Sequence, residues 1–168
     1  QHLERLAVWQ AGRLPMPVTV ELDLTNACNH ACPGCSFSYL VNIVRESIDY
    51  RLAQEVVAEL ASLGVKAVTF SGGGEPLLYG QDRVLSLMND CKQRGMDVGF
   101  ITNGSKITDE QFVDVCTWIR VSLDGYDEAT FERFHGRSER EFQRCVEAVR
   151  FLGATANCRK QFGDECAT

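Results

Sequence analysis

Three cysteines fall within eight residues, Cys28-Asn29-His30-Ala31-Cys32-Pro33-Gly34-Cys35, at the spacing C-x3-C-x2-C. No other feature narrows the outcome as much. Thiolates are soft donors, suited to iron–sulfur clusters and to zinc. A closed structural zinc site takes four ligands, and an ordinary iron–sulfur cluster is also held by four. Three thiolates on a cubane leave one iron open to something else. His30, between the first two cysteines, supports a second reading, a Cys3His zinc site in a non-catalytic binding or scaffold module. A partly buried, metal-free cysteine cluster is the third.

The other cysteines sort by periodicity. Cys91 follows Val84 and Met88 at helical spacing, Cys116 shares a face with Phe112 and Val115, and Cys145 sits with Phe142, Val146 and Val149. These three read as small core hydrophobes. Cys158 and Cys166 stay unassigned. Eight cysteines in 168 residues without secretory features fit a reducing, cytoplasmic setting better than a disulfide framework. The net charge of −6 comes with no basic patch, which argues against nucleic acid or an anionic membrane surface. No apolar run reaches the length of a membrane span. The length fits one domain, residues 1–168, with residues 1–17 as a helical lead-in that carries Leu3, Leu6 and Trp9.

Strand and helix patterns then alternate. Val18 to Leu24 reads as a strand, and the cysteine loop follows it directly. A helix is expected from about Asp49 to Leu63, with Leu52, Val56, Leu60 and Leu63 as its apolar face and Gly64 as its stop. Strands are expected at Lys66–Phe70, Asp97–Ile101 and Trp118–Leu123. Helices are expected at Gln81–Gln93, from a Thr108/Gln111 capping box to Cys116, at Glu128–Phe134, and from Ser138 to about Leu152-Gly153. Four strand–helix alternations imply an α/β fold with parallel strands and right-handed crossovers. The cysteine loop, Ser71-Gly72-Gly73-Gly74-Glu75-Pro76, Thr102-Asn103 and Ser122/Asp124 each follow or finish a different strand. In a parallel sheet those ends share one rim, where such sheets and barrels place their active sites.

C-x3-C-x2-C followed one βα unit later by Gly73-Gly74-Glu75-Pro76 resembles the radical S-adenosylmethionine (SAM) enzymes, over roughly residues 18–152. One departure is Gly34, where the family usually has an aromatic residue before the third cysteine; Phe37 or Tyr39 is the candidate to cover the adenine instead. The resemblance implies a partial (β/α) barrel, about four units of a six-unit core. It implies a [4Fe–4S] cluster on Cys28, Cys32 and Cys35, with SAM chelating the open iron. Gly73, Gly74, Glu75 and Pro76 would line SAM's amino group, so that Glu75 touches SAM and not iron. Ser122 and Asp124 would lie around the ribose and carboxylate, Asn103 against SAM, and Arg137 against the carboxylate. Reductive cleavage of SAM would give a 5′-deoxyadenosyl radical that takes hydrogen from a substrate, with a peptide as first candidate. A one-electron donor of flavodoxin or ferredoxin type is implied.

The residues also permit plainer readings: Glu75 as a helix-starting carboxylate, Asp124 as an Asp-Gly turn, Arg137 as an exposed charge. Glu21 and Asp23 lie in or near the first strand without an assigned role. Thr155–Thr168 reads as a loop toward a fifth strand, and the fourth strand is expected to be an edge that missing C-terminal strands or a partner chain would cover.

Overall fold

The computed structural model describes residues 2–37 and 45–162. The expectations for Tyr39, Cys166 and the Cys158 side chain fall outside the described residues. Strands β1 (Thr19–Asp23), β2 (Ala67–Ser71), β3 (Asp97–Thr102) and β4 (Trp118–Val121) form one sheet in the order β1-β2-β3-β4. All pairs are parallel, with Glu21 beside Thr69, Thr69 beside Gly99 and Gly99 beside Trp118. The helices are α1 (Leu3–Gln10), α2 (Tyr50–Ser62), α3 (Gln81–Gln93), α4 (Gln111–Val115), α5 (Glu128–His135) and α6 (Glu139–Phe162). A 3-10 turn, Pro76–Tyr79, leads into α3. The expected parallel α/β sheet, built like part of a radical SAM (β/α) barrel, is what the chain adopts.

Strand alternation splits the sheet into two faces. Leu22, Val68, Phe70, Val98 and Phe100 are buried under the helices, with Ile119 and Val121 packed at their margin. Phe100 and Phe112 stack at 5.0 Å. The opposite face carries Glu21, Asp23, Thr69, Ser71, Ile101 and Arg120, too polar for a dry core, and it faces the rim cavity described below. Gly99 is required there: a Cβ at this position would meet the Trp118 indole at 2.3 Å.

Several local expectations are corrected. Helix α2 is capped by Asp49, whose Oδ1 accepts from the Leu52 amide at 3.1 Å. It buries Ala53 and Val57, and Leu52 and Leu63 stay exposed. Val56 and Leu60, the other two expected positions, pack against the core as partly buried residues. Thr108 does not cap α4. It is tied to Gln81 instead, and Gln111's amide is taken by Asp109 Oδ1 at 2.8 Å. Helix α6 does not stop at Gly153. No positive φ forms there, and the buried Leu152 and Thr155 hold the next turn against the core. No fifth strand occurs among the described residues, and β4 pairs only with β3 there. Beside this open edge lies an apolar groove of about 440 Å3 lined by Cys116, Ile119, Val121, Val149, Leu152 and Ala156. Helix α1 is held by Arg5, whose guanidinium donates to the carbonyls of Met16, Pro17 and Gly64; its Leu3, Leu6 and Trp9 remain exposed.

Candidate functional site

The C-terminal ends of the four strands surround a cavity of about 810 Å3. The cysteine loop forms one wall. It is fixed from two sides, and small residues make both contacts possible. Glu75's amide donates to the Ala27 carbonyl at 2.8 Å, and Gly74 lies so close that a Cβ there would sit 2.1 Å from that oxygen. On the other side, Ala31's amide donates to the His135 carbonyl at 3.1 Å. Gly136, at φ 59°, ends α5 against Ala31, where a Cβ would come within 2.6 Å of the carbonyl oxygen. Glycine adopts that left-handed conformation without a Cβ penalty.

Cys28, Cys32 and Cys35 are all free, half-buried and open to this cavity. Burial raises the Cys28 thiol above its usual value. Burial first, and then the neighbouring Cys28 and Cys35 thiolates, push Cys32 up to about 11. Three sulfurs close enough to oppose each other's ionisation, with a cavity in front, form a donor set that fits a cationic centre. The Gly73 amide donates to Asp23 Oδ2 at 3.1 Å, and the Phe37 ring lies 3.5 Å from where a Gly73 Cβ would stand. Glu21 and Arg120 bring opposite charges to the cavity floor.

Glu75 is 2% exposed, and three protein donors reach its carboxylate. Oε1 accepts from the Leu77 amide at 3.1 Å and from Thr102 Oγ1 at 2.7 Å; Oε2 accepts from the Asn103 amide at 2.7 Å. Burial raises its carboxyl pKa, opposed by these same donors. The side chain caps the 3-10 turn and clamps the end of β3. Asn103 continues the chain of contacts: its Nδ2 donates to Asn29 Oδ1 at 2.9 Å, and its Oδ1 accepts from the Ser105 amide at 3.0 Å. Asn29 lies inside the cysteine loop, so Glu75 reaches that loop through Asn103. Gly73, Gly74, Glu75, Asn103, Ser122 and Asp124 line the cavity with the cysteines. Pro76 is buried at the start of the 3-10 turn and does not line it. Arg137 lies beside Cys28 and His30, also outside the lining, and among the described residues its Nε has no hydrogen-bond partner.

Sequence reasoning missed His135. It ends α5, stacks on Phe131 at 4.4 Å, and places Nδ1 3.3 Å from His30 Nδ1 and 3.5 Å from Cys32 Sγ. Its Nε2 lies 3.3 Å from Asp124 Oδ2. The one available signal was Phe134-His135-Gly136, a histidine immediately before a glycine helix stop. Burial, followed by His135, lowers the His30 pKa from 6.5 to about 4. The unfolded chain therefore binds a proton that the fold excludes between those two values. The associated stability is complete above pH 6.5 and is lost as pH falls to about 4. At His30's 4% exposure this amounts to about 3 kcal/mol. Melts of metal-free protein from neutral pH down to about 4 should show the loss, and His30→Gln should flatten it; an equally steep wild-type and mutant profile would remove His30 as the cause.

The profile described as the Radical SAM superfamily matches residues 22–164. An S-adenosylmethionine-dependent nucleotide dehydratase of Lacinutrix mariniflava is 35% identical over 118 residues, 66% of this chain and 24% of that protein. A PqqA peptide cyclase of Xanthomonas euvesicatoria pv. vesicatoria is 30% identical over 152 residues, 85% of this chain and 40% of its own length. The chain thus spans about a quarter to two-fifths of these relatives. Among solved structures, Streptococcus suis SuiB bound to S-adenosylmethionine shares the fold at TM-score 0.68 and 17% identity, over 91% of this chain and 35% of that one. The four-stranded parallel sheet, the cysteine loop on its rim and the profile match lead to one assignment: the chain belongs to the radical SAM superfamily.

Proposed function

We propose that this chain carries the SAM-cleaving part of a radical SAM enzyme, with a [4Fe–4S] cluster on Cys28, Cys32 and Cys35 and SAM on the remaining iron. The observation that supports this best is that three half-buried thiols and the Gly72–Gly74 backbone face the same cavity of about 810 Å3. Held by Cys28, Cys32 and Cys35, a reduced cluster would supply the one electron needed for reductive cleavage of SAM's sulfur–5′-carbon bond to methionine and a hydrogen-abstracting 5′-deoxyadenosyl radical. The chain's residues position the ligand and limit water. Gly73 and Gly74 allow backbone approach to an ammonium, Phe37 offers an apolar ring for the adenine, and Ser122 brings a polar group to the same mouth. Glu75 acts as a positioning residue through Thr102 and Asn103. A flavodoxin- or ferredoxin-type protein donates the electron. We take the substrate to be a peptide, on the longer match to a PqqA peptide cyclase than to the nucleotide dehydratase. The open β4 edge and its apolar groove support further strands or a partner chain completing the barrel.

A second reading is a zinc-stabilised, non-catalytic module. It rests on His30, Cys32 and His135, whose ligand atoms all lie within 4.8 Å of one another. Anaerobic purification and metal analysis separate the two. About four iron and four sulfide per chain, with 5′-deoxyadenosine released on adding dithionite and SAM, is the expected result. A chain that, once stripped of zinc by a chelator, still takes up no iron and sulfide on reconstitution would overturn the cluster reading.

A further inference from the structure

Two of the three separations in the histidine–cysteine triad have the dimensions of a metal site, and all three ligand atoms lie within 4.8 Å of one another. Tetrahedral zinc with Zn–N of about 2.05 Å and Zn–S of about 2.3 Å places two nitrogens about 3.35 Å apart, and a nitrogen and a sulfur about 3.55 Å apart. The observed separations are 3.3 Å for His30 Nδ1 to His135 Nδ1 and 3.5 Å for Cys32 Sγ to His135 Nδ1. The first is long for a direct hydrogen bond between nitrogens. Phe131 sets both rings, stacked on His135 at 4.4 Å and edge-on to His30 at 5.8 Å. Metal-bound histidines usually pass their other N–H to a carboxylate, and Asp124 Oδ2 lies 3.3 Å from His135 Nε2. The Asp124 amide donates to that nitrogen at 3.2 Å in the metal-free chain; metal on Nδ1 would put the proton on Nε2, so this bond would have to give way to one from Nε2 to the Asp124 carboxylate. Three protein donors would leave a fourth tetrahedral position for another ligand, and Cys32, His30 and His135 all line the cavity.

We propose that His30, Cys32 and His135 form a mononuclear site for a divalent transition metal that shares Cys32 with the cluster loop. The chain then holds either one tetrahedral ion or the three-cysteine cluster, and not both. The ion would occupy the cluster-free chain and block assembly when iron and sulfide are supplied. Exclusivity rests on the cluster reading above; the mononuclear site itself does not.

The probe is Co2+ added to metal-free chain under anaerobic conditions, read by the ligand-field and thiolate charge-transfer bands of tetrahedral cobalt. One Co2+ per chain is expected. Cys28→Ser and Cys35→Ser should retain those bands while losing iron and sulfide uptake. His30→Gln and His135→Gln should lose the bands while still taking up the cluster, and Cys32→Ser should lose both. Asp124→Asn should weaken Co2+ by about 10- to 100-fold. Zn2+ added first should block iron uptake in the wild type and not in His135→Gln. Cobalt bands that depend on Cys28 and Cys35 but survive both histidine changes would overturn the site. If His135→Gln does not fold, as judged by circular dichroism, His30→Gln and the two serine variants still decide. A wild type that binds Co2+ through the triad but never takes up iron and sulfide would instead remove the cluster reading and leave this site standing.

Discussion

Replacing Glu75 by alanine should lower the melting temperature of this chain by about 6–12 °C. The carboxylate is 2% exposed and accepts from the Leu77 and Asn103 amides and the Thr102 hydroxyl. Removing it strands three donors in a site with little water, at about 1–3 kcal/mol for each that stays unpaired. With partial rehydration from the cavity, a total of about 3 kcal/mol follows, and for a domain of this size each kcal/mol moves the midpoint by about 2–4 °C. Glutamine should rescue only part of this, since its amide nitrogen faces donors whichever way it is turned. The loss should also spread to the cysteine loop, because Asn103 positions Asn29. Iron content of reconstituted Glu75→Ala should therefore fall with its stability. A variant that melts with the wild type and loses only SAM affinity would return Glu75 to the direct contact that the family resemblance suggested.

Glu75 also marks where the sequence stops being informative. Its place at the end of a strand was readable, because Gly72-Gly73-Gly74 and Pro76 punctuate an apolar run. The direction of its carboxylate depends on Thr102 and Asn103, nearly thirty residues away, and no local pattern carries that. The same division runs through the fold. The parallel sheet and its rim followed from alternation of β-branched and helical runs, a strong short-range signal. The apolar face of α2 was half legible: Val56 and Leu60 pack against the core as expected, whereas Leu52 and Leu63 are exposed and the fully buried positions are Ala53 and Val57. Helix α6 passed its expected stop because Leu152 and Thr155 gain tertiary contacts that outweigh one glycine's weak propensity. His135 stayed hidden for a similar reason. It lies over a hundred residues from His30, and only the packing of α5 on the cysteine loop brings the two rings together.

Alanine at Cys28, Cys32 or Cys35 should each abolish cluster assembly, and with it all 5′-deoxyadenosine formation. Each variant removes one of three sulfurs on a single short loop, and no other described thiol stands ready to replace it. Cys91 and Cys145 are fully buried, Cys116 packs at the core's edge, and burial pushes all three thiols up to about 12. They are thiols held in a hydrocarbon setting, poor both as nucleophiles and as ligands. Cys91→Ala and Cys116→Ala should keep full iron and sulfide and lose only about 1–2 kcal/mol of packing. Cys145→Ala should do the same with a somewhat larger loss, because its Sγ also donates to the Asn103 carbonyl at 3.0 Å, a contact that periodicity alone did not reveal. Iron, sulfide and thermal melts on all six variants separate the two groups. A Cys32→Ala chain that still assembles a cluster, or a folded Cys116→Ala chain that does not, would show that ligation is distributed differently. The three loop positions also differ among themselves: Cys28→Ala and Cys35→Ala should leave a chain that still takes one Co2+, whereas Cys32→Ala should take neither cobalt nor cluster.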